Sequence, residues 1–165
     1  MRQEDQQFKE GMMGLFAVPI ILKQAKDKQF ESIQEELLGV ANSVDFAQIN
    51  GWSHDTHMLS PDPFNSNIIV DNKCSNFLDF LEETLTEYIE TITGEAEFGY
   101  EIQESWFTKT LKGKYAHEHH HGYADISGVY YINTNQQDGN LVFDNIHSQM
   151  AGNYIFANLP GKQPM

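Results

Sequence analysis

Four of the chain's seven histidines fall within five residues: His117, His119, His120 and His121. Neutral imidazole is the commonest protein ligand for a first-row metal, so metal binding is the first chemistry to weigh. His117, His119 and His121 stand at every second position. In a strand they share one face, while Glu118 and His120 take the other. The run is internal and broken by Glu118, unlike an affinity tag. A histidine-rich surface strand without metal is the plain alternative, and a stacked core histidine would explain one ring, not four. A structural zinc site needs four closed N/S ligands, and Cys74, the single cysteine, cannot supply the sulfur side. An open site with two or three histidines and exchangeable positions fits better. That is the architecture of non-haem iron and related catalytic centres.

The other histidines are more scattered. His54 and His57, in Gly51-Trp52-Ser53-His54-Asp55-Thr56-His57, read as surface-loop residues, because the spacing is weak and no third donor is near. Trp52 in the same loop reads as a hydrophobic plug. His147 stands alone, downstream of the cluster.

The elements that must position the cluster are extended. Ser105 to Leu111 reads as a strand, ended by a Lys112-Gly113-Lys114 turn, and Ile126 to Ile132 is β-branched and aromatic. Asp138-Gly139 marks a hairpin into Leu141-Val142-Phe143. Upstream, Leu15 to Leu22 reads as a strand, with Pro19 placing it at an edge or bulge. Asp27 to Val44 reads as a helix with Asp27 as its N-cap and a stripe of Phe30, Ile33, Leu37, Leu38, Val40 and Ala41. Asp45 to Asp71 is irregular. Ser75 to Thr93 is the clearest helix, with Phe77, Leu78, Leu81, Leu85, Tyr88, Ile89 and Ile92 on one side. Leu81, Leu85 and Ile89 are expected to be buried against the sheet. Glu82, Glu83, Glu87 and Glu90 form its solvated face, and Gly94 its C-cap. Strand, helix, loop, helix and then strands predict an α+β fold with the helices on one side of an antiparallel sheet.

At 165 residues, the chain is expected to form a polar arm over 1–13 and a single domain over 14–165. A formal net charge of -14 argues against a nucleic-acid partner, which needs clustered Lys and Arg. Arg2 is the only arginine, so no core guanidinium is available to clamp a carboxylate or phosphate. Nothing reads as a membrane span or a secretory signal. One cysteine fits a reducing compartment, the cytoplasm, and Cys74 reads as a packing or surface residue.

Taken in order, several short motifs resemble a group of iron(II)- and 2-oxoglutarate-dependent oxygenases from bacteria and marine phages. They are Leu15-Phe16-Ala17-Val18-Pro19, Gly51-Trp52-Ser53, Ser105-Trp106-Phe107, His119-His120-His121, Ser127-Gly128-Val129-Tyr130-Tyr131 and Gly139-Asn140-Leu141-Val142-Phe143. The resemblance covers about 130 residues, and its most specific part is Ser-Gly-Val-Tyr-Tyr placed six residues after His-x-His. It implies a double-stranded β-helix, or jelly roll, with two helices packed on one face. It also implies iron(II) and 2-oxoglutarate as cofactors, and hydroxylation of a small molecule or a protein side chain. On this resemblance His119 and His121 are metal ligands and His147 is the candidate for the distal one. Lys109 would meet the far carboxylate of 2-oxoglutarate, and Tyr131, with Ile132 and Trp106, would line the pocket.

The chain departs from that group after His121, where His147 is the only histidine and Lys162 the only basic residue. The group's late strands are expected beyond Met165, so the domain reads as C-terminally incomplete and 2-oxoglutarate turnover as poor. Gly113, His119, His121 and Asp125 also fit part of a cupin pattern, with Ile132 where its closing glycine should stand. A cupin-like metal-binding protein is one alternative, and a non-catalytic jelly-roll protein acting in binding or assembly is another.

Overall fold

A computed structural model of the chain describes residues 19–50, 53–95, 97–119, 121, 124–134, 139 and 141–143. The fold is α+β: helix α1 (Asp27–Ala41), strand β1 (Met58–Leu59), a short helix α2 (Ile68–Asp71), helix α3 (Ser75–Thr93) and strand β2 (Thr108–Lys109). The chain divides into two compact units, Met1–Ile132, which carries every one of these elements, and Asn133–Met165.

The two long helices form because their apolar residues recur at helical spacing, and each buries one narrow stripe. On α1 that stripe is Ile33 and Leu37, both essentially inaccessible to solvent. Phe30 and Leu38, expected on the same stripe, are exposed, so the contact line is narrower than the sequence implies. The helix ends at Ala41, not Val44, because the Asn42 and Ser43 amides turn back onto the Leu38 and Val40 carbonyls, both at 2.9 Å. Nor is Asp27 the N-cap. Lys26 holds that place with extended backbone, and Asp27 takes a left-handed φ of 49° with no side-chain cap.

Helix α3 has the expected bounds, and Gly94 closes it in the left-handed region at φ 77°, donating to the Glu90 carbonyl. Its buried residue is Phe80, whereas Leu81, Leu85 and Ile89 are half-buried. The helix packs on α1 and on the Tyr130 ring, rather than on a paired sheet. No side chain of its own caps its start. Instead the Glu36 carboxylate reaches across from α1, accepting from the Phe77 amide at 2.9 Å and from the Asn76 amide at 3.2 Å. A carboxylate suits this position because the first helical amides lack internal partners and carry the positive end of the helix dipole.

Ile33, Leu37, Ile68, Ile69, Cys74, Phe80 and Phe107 meet in one core. Cys74 is fully buried there, and burial, aided by the Glu36 charge, pushes its thiol pKa up. The segment before α1 is tied down at Ala25, which is buried, at a Lys23–Glu87 ion pair of 2.6 Å, and at Tyr88, whose hydroxyl donates to the Pro19 carbonyl. Residues 19–22 form no strand, and Leu15 to Val18 of the expected strand lie outside the described residues.

β1 pairs antiparallel with β2, Met58 opposite Lys109 and Leu59 opposite Thr108. The ladder continues beyond the strand ends. Ser60 donates its amide to the Phe107 carbonyl and accepts the Phe107 amide at Oγ, both at 3.0 Å. On the other side, Ala47 and Leu59 exchange both backbone hydrogen bonds. Ser105 staples the β2 approach to α2. It donates its hydroxyl to the Asn67 side-chain oxygen at 2.7 Å and accepts the Ile69 amide at 3.1 Å. Neither β1 nor α2 was expected, because two and four residues are too short to display a period.

Residues 126–132 are not paired as a strand among the described residues. Ile126 to Val129 are exposed, but from Val129 to Ile132 burial alternates. Tyr130 and Ile132 pack on the helical core, and Val129 and Tyr131 are 67% and 53% exposed. That is the period of an extended segment with one face on the helices. Asp138 of the expected Asp138-Gly139 turn and Asn140 after it fall outside the described residues, and Leu141, Val142 and Phe143 show no regular pairing.

Candidate metal centre

The histidine segment is anchored at its root, Tyr115, to the loop that precedes β1. Ser53 to Thr56 forms a tight turn, in which the Thr56 hydroxyl donates to the Ser53 carbonyl at 2.7 Å. The Gln48 amide also reaches that carbonyl and the Thr56 hydroxyl. Tyr115 then docks on this turn, its amide donating to the Asp55 carbonyl at 3.0 Å and its carbonyl accepting the His57 amide at 3.1 Å. Lys114 adds a contact to the His54 carbonyl and an ion pair to Asp55 at 3.4 Å.

From Tyr115 onward every second residue is linked to the next. The Tyr115 ring meets the His117 ring edge-on, with centroids 5.0 Å apart. The His117 carbonyl accepts from Nδ1 of His119 at 2.7 Å. The His119 and His121 rings meet edge-on at 5.0 Å, and His121 stacks on Trp106 at 5.6 Å and 22°. An extended segment gives alternate residues a common side, and short imidazoles there reach one another.

The hydrogen bond at His119 has a chemical consequence. A carbonyl can only accept, so Nδ1 carries the proton, and the lone pair stands on Nε2. This is the arrangement metal-binding histidines adopt, with the second nitrogen fixed by a backbone carbonyl. Two imidazoles bound to one first-row ion through nitrogen at about 2.1 Å, at angles of about 90–110°, place their centroids roughly 4.6–5.3 Å apart. The His119–His121 separation of 5.0 Å fits two adjacent coordination positions. Both rings are exposed, so an ion can reach them. Among the described residues no group of three His, Cys, Asp or Glu side chains is placed to hold a metal.

The remaining sequence-derived candidates are dispersed. His147 and His120 lie outside the described residues. Lys109 is exposed, and its ammonium stands 5.5 Å from the centroid of the Phe46 ring, a cation–π contact. Tyr131 is exposed on the face of its segment opposite the helices, whereas Ile132 packs on the core and its carbonyl accepts from the Gln34 side chain at 2.8 Å. Trp106 is half-buried. Asp125 is exposed at a bend.

His57 is not the surface-loop residue its sequence context suggests. It is 5% exposed, and its Nδ1 contacts the Tyr115 carbonyl at 3.4 Å, the same oxygen that accepts its backbone amide. Burial holds its pKa below the ordinary imidazole range, and the nearby His119 and His117 act in the same direction, against the Tyr115 carbonyl. The usable signal in the sequence was local: His57 immediately precedes the apolar pair Met58-Leu59, which enters the sheet. His54 does remain in the loop, exposed, with Nδ1 3.3 Å from the Gln48 side chain.

Residues 104–163 match a family model described as "Putative 2OG-Fe(II) oxygenase". The match begins one residue before Ser105 and takes in the whole histidine segment. It spans about a third of the chain and supports an oxygenase-like reading at the level of that family. No curated protein and no solved structure matches the chain. Among the described residues no helix is long and apolar enough to cross a membrane.

Proposed function

We propose that the chain is an iron(II)- and 2-oxoglutarate-dependent dioxygenase domain, with His119 and His121 holding the ion. The observation that carries this reading is the His119–His121 pair, 5.0 Å apart, with the His119 tautomer set by the His117 carbonyl inside the matched stretch. When bound, iron and 2-oxoglutarate supply an oxidative decarboxylation coupled to hydroxylation of a substrate C–H bond. The protein's own part is to hold and to screen. His119 offers Nε2 with its proton already committed at Nδ1, so it need not change tautomer to ligate. Trp106 limits rotation of the His121 ring by covering one face of it. Tyr131, on the side away from the helices, walls the pocket. Lys109, exposed beside Phe46, is the residue we assign to the far carboxylate of 2-oxoglutarate.

The architecture we propose around this site is a double-stranded β-helix in one domain, with α1 and α3 outside one sheet. The alternating burial of Val129 to Ile132 supports it, because one face of that segment already lies on the helices. The substrate is a small molecule or a protein side chain, and nucleic acid is disfavoured by the net charge of -14. Succinate formation with iron, ascorbate and 2-oxoglutarate tests the activity. Turnover by the chain that is lost in His119→Ala and in His121→Ala supports this pair. Turnover that survives either substitution removes that histidine from it, and no succinate from the metal-loaded chain contradicts the catalytic reading.

A further inference from the structure

His57 is a nearly buried polar side chain that the ligand set does not use. Both its backbone amide and its Nδ1 converge on one oxygen, the carbonyl of Tyr115, at 3.1 and 3.4 Å. Tyr115 is the first member of the alternate-residue chain that runs through His117 to His119 and His121. His117 and His119 also lie close enough to influence the His57 charge. Residues 111–119 are otherwise held mainly by this docking on the Ser53–His57 turn, since β2 ends at Lys109 and most of their side chains are exposed. The orientation of His119 therefore depends on where the His117 carbonyl points, and that depends on how Tyr115 is fixed.

We infer that His57 is a positioning residue for the metal centre, which orients the His117–His121 segment by holding the Tyr115 carbonyl. The inference rests on the reading of His119 and His121 as the ligand pair. His57 needs its Nδ1 proton and its volume for this role. Asparagine keeps a donor near the Nδ1 position, while leucine fills similar space without one.

The test compares wild type, His57→Asn and His57→Leu at a pH where the imidazoles are neutral. Long-range proton–nitrogen NMR of the metal-free chain reads the tautomer of each histidine. Wild type is expected to show the Nδ1–H tautomer at both His57 and His119. In His57→Leu the His119 signal should shift toward the Nε2–H form, and His57→Asn should restore it. Cobalt(II) titration of the same chains should show about 10–100-fold weaker binding in His57→Leu and near wild-type binding in His57→Asn, the scale expected when a supporting partner of a ligand is lost. Unfolding midpoints show whether the leucine variant is folded. An unchanged His119 tautomer in folded His57→Leu overturns the inference, as does a His57→Asn chain that is no better than leucine. If the leucine variant does not fold, a wild-type His57 found in the Nε2–H form overturns it alone. A wild type that binds no cobalt would sink the ligand reading instead, and the metal-free tautomers would still decide the role of His57.

Discussion

The helical layer and the histidine segment are held in different ways. In the first, Ile33 and Leu37 of α1 face Phe80 of α3 across one apolar core, and Glu36 completes the start of the second helix. In the second, residues 116–119 and 121 are exposed and are positioned by a turn, a carbonyl and ring contacts. The helices are stabilised by burial, which is large and tolerant of detail. The histidine segment is held by a few directional contacts, each worth about a kilocalorie per mole. Stability should therefore respond to changes in the helical layer, and metal affinity to changes along the segment.

The largest effect on stability should come from the centre of the core. Leu37→Ala is expected to cost about 2–5 kcal/mol, because the site is 1% exposed and the cavity cannot close fully. Urea unfolding measures it. Cobalt stoichiometry of the fraction still folded should not change, and a loss of metal binding without unfolding would break the separation of the two regions.

Glu36→Ala comes next. Removing an acceptor that serves the first turn of α3 should cost about 1 kcal/mol, the usual value for a lost helix cap. Glu36→Gln, which keeps an oxygen but not the charge, should cost less. A loss no greater than at an exposed glutamate such as Glu90 would show that the trans cap contributes nothing.

Cys74 gives the smallest and most specific effect. Its folded pKa is raised by burial, with Glu36 second. The contribution to stability is thus fully present below the unfolded thiol pKa of about 8.5, and is lost as pH rises through the folded value. Urea midpoints should fall more steeply above about pH 8.5 in wild type than in Cys74→Ala. Identical pH profiles would mean that the thiolate meets no barrier in the core.

The contrast between regions also explains what could be read from the sequence. α3 was legible to the residue because Phe77, Leu81, Leu85 and Tyr88 repeat at helical spacing and Gly94 stops the chain. The most buried position, Phe80, was missed, because the stripe is set by α1 and Tyr130, which are distant in sequence. Likewise the Glu36 cap joins residues 41 apart, and no local pattern records it. The His119–His121 pair was legible because its members are two residues apart. His57 was not, since its partner Tyr115 lies 58 residues away and only the pairing of Thr56 with Tyr115 brings them together. The expected strand over Ile126 to Ile132 shows a period of two only from Val129 to Ile132 and no pairing among the described residues, because period is local and pairing is not.

The central claim is that His119 and His121 form the metal-holding pair. Cobalt(II) or iron(II) titration of wild type against the double variant His119→Ala with His121→Ala tests it most directly. Wild type should bind about one equivalent, more weakly as pH falls through the histidine range, because imidazole must be neutral to ligate. The double variant should bind none while unfolding at the same urea concentration, since both side chains are exposed. Metal binding that persists undiminished in the folded double variant would contradict the account.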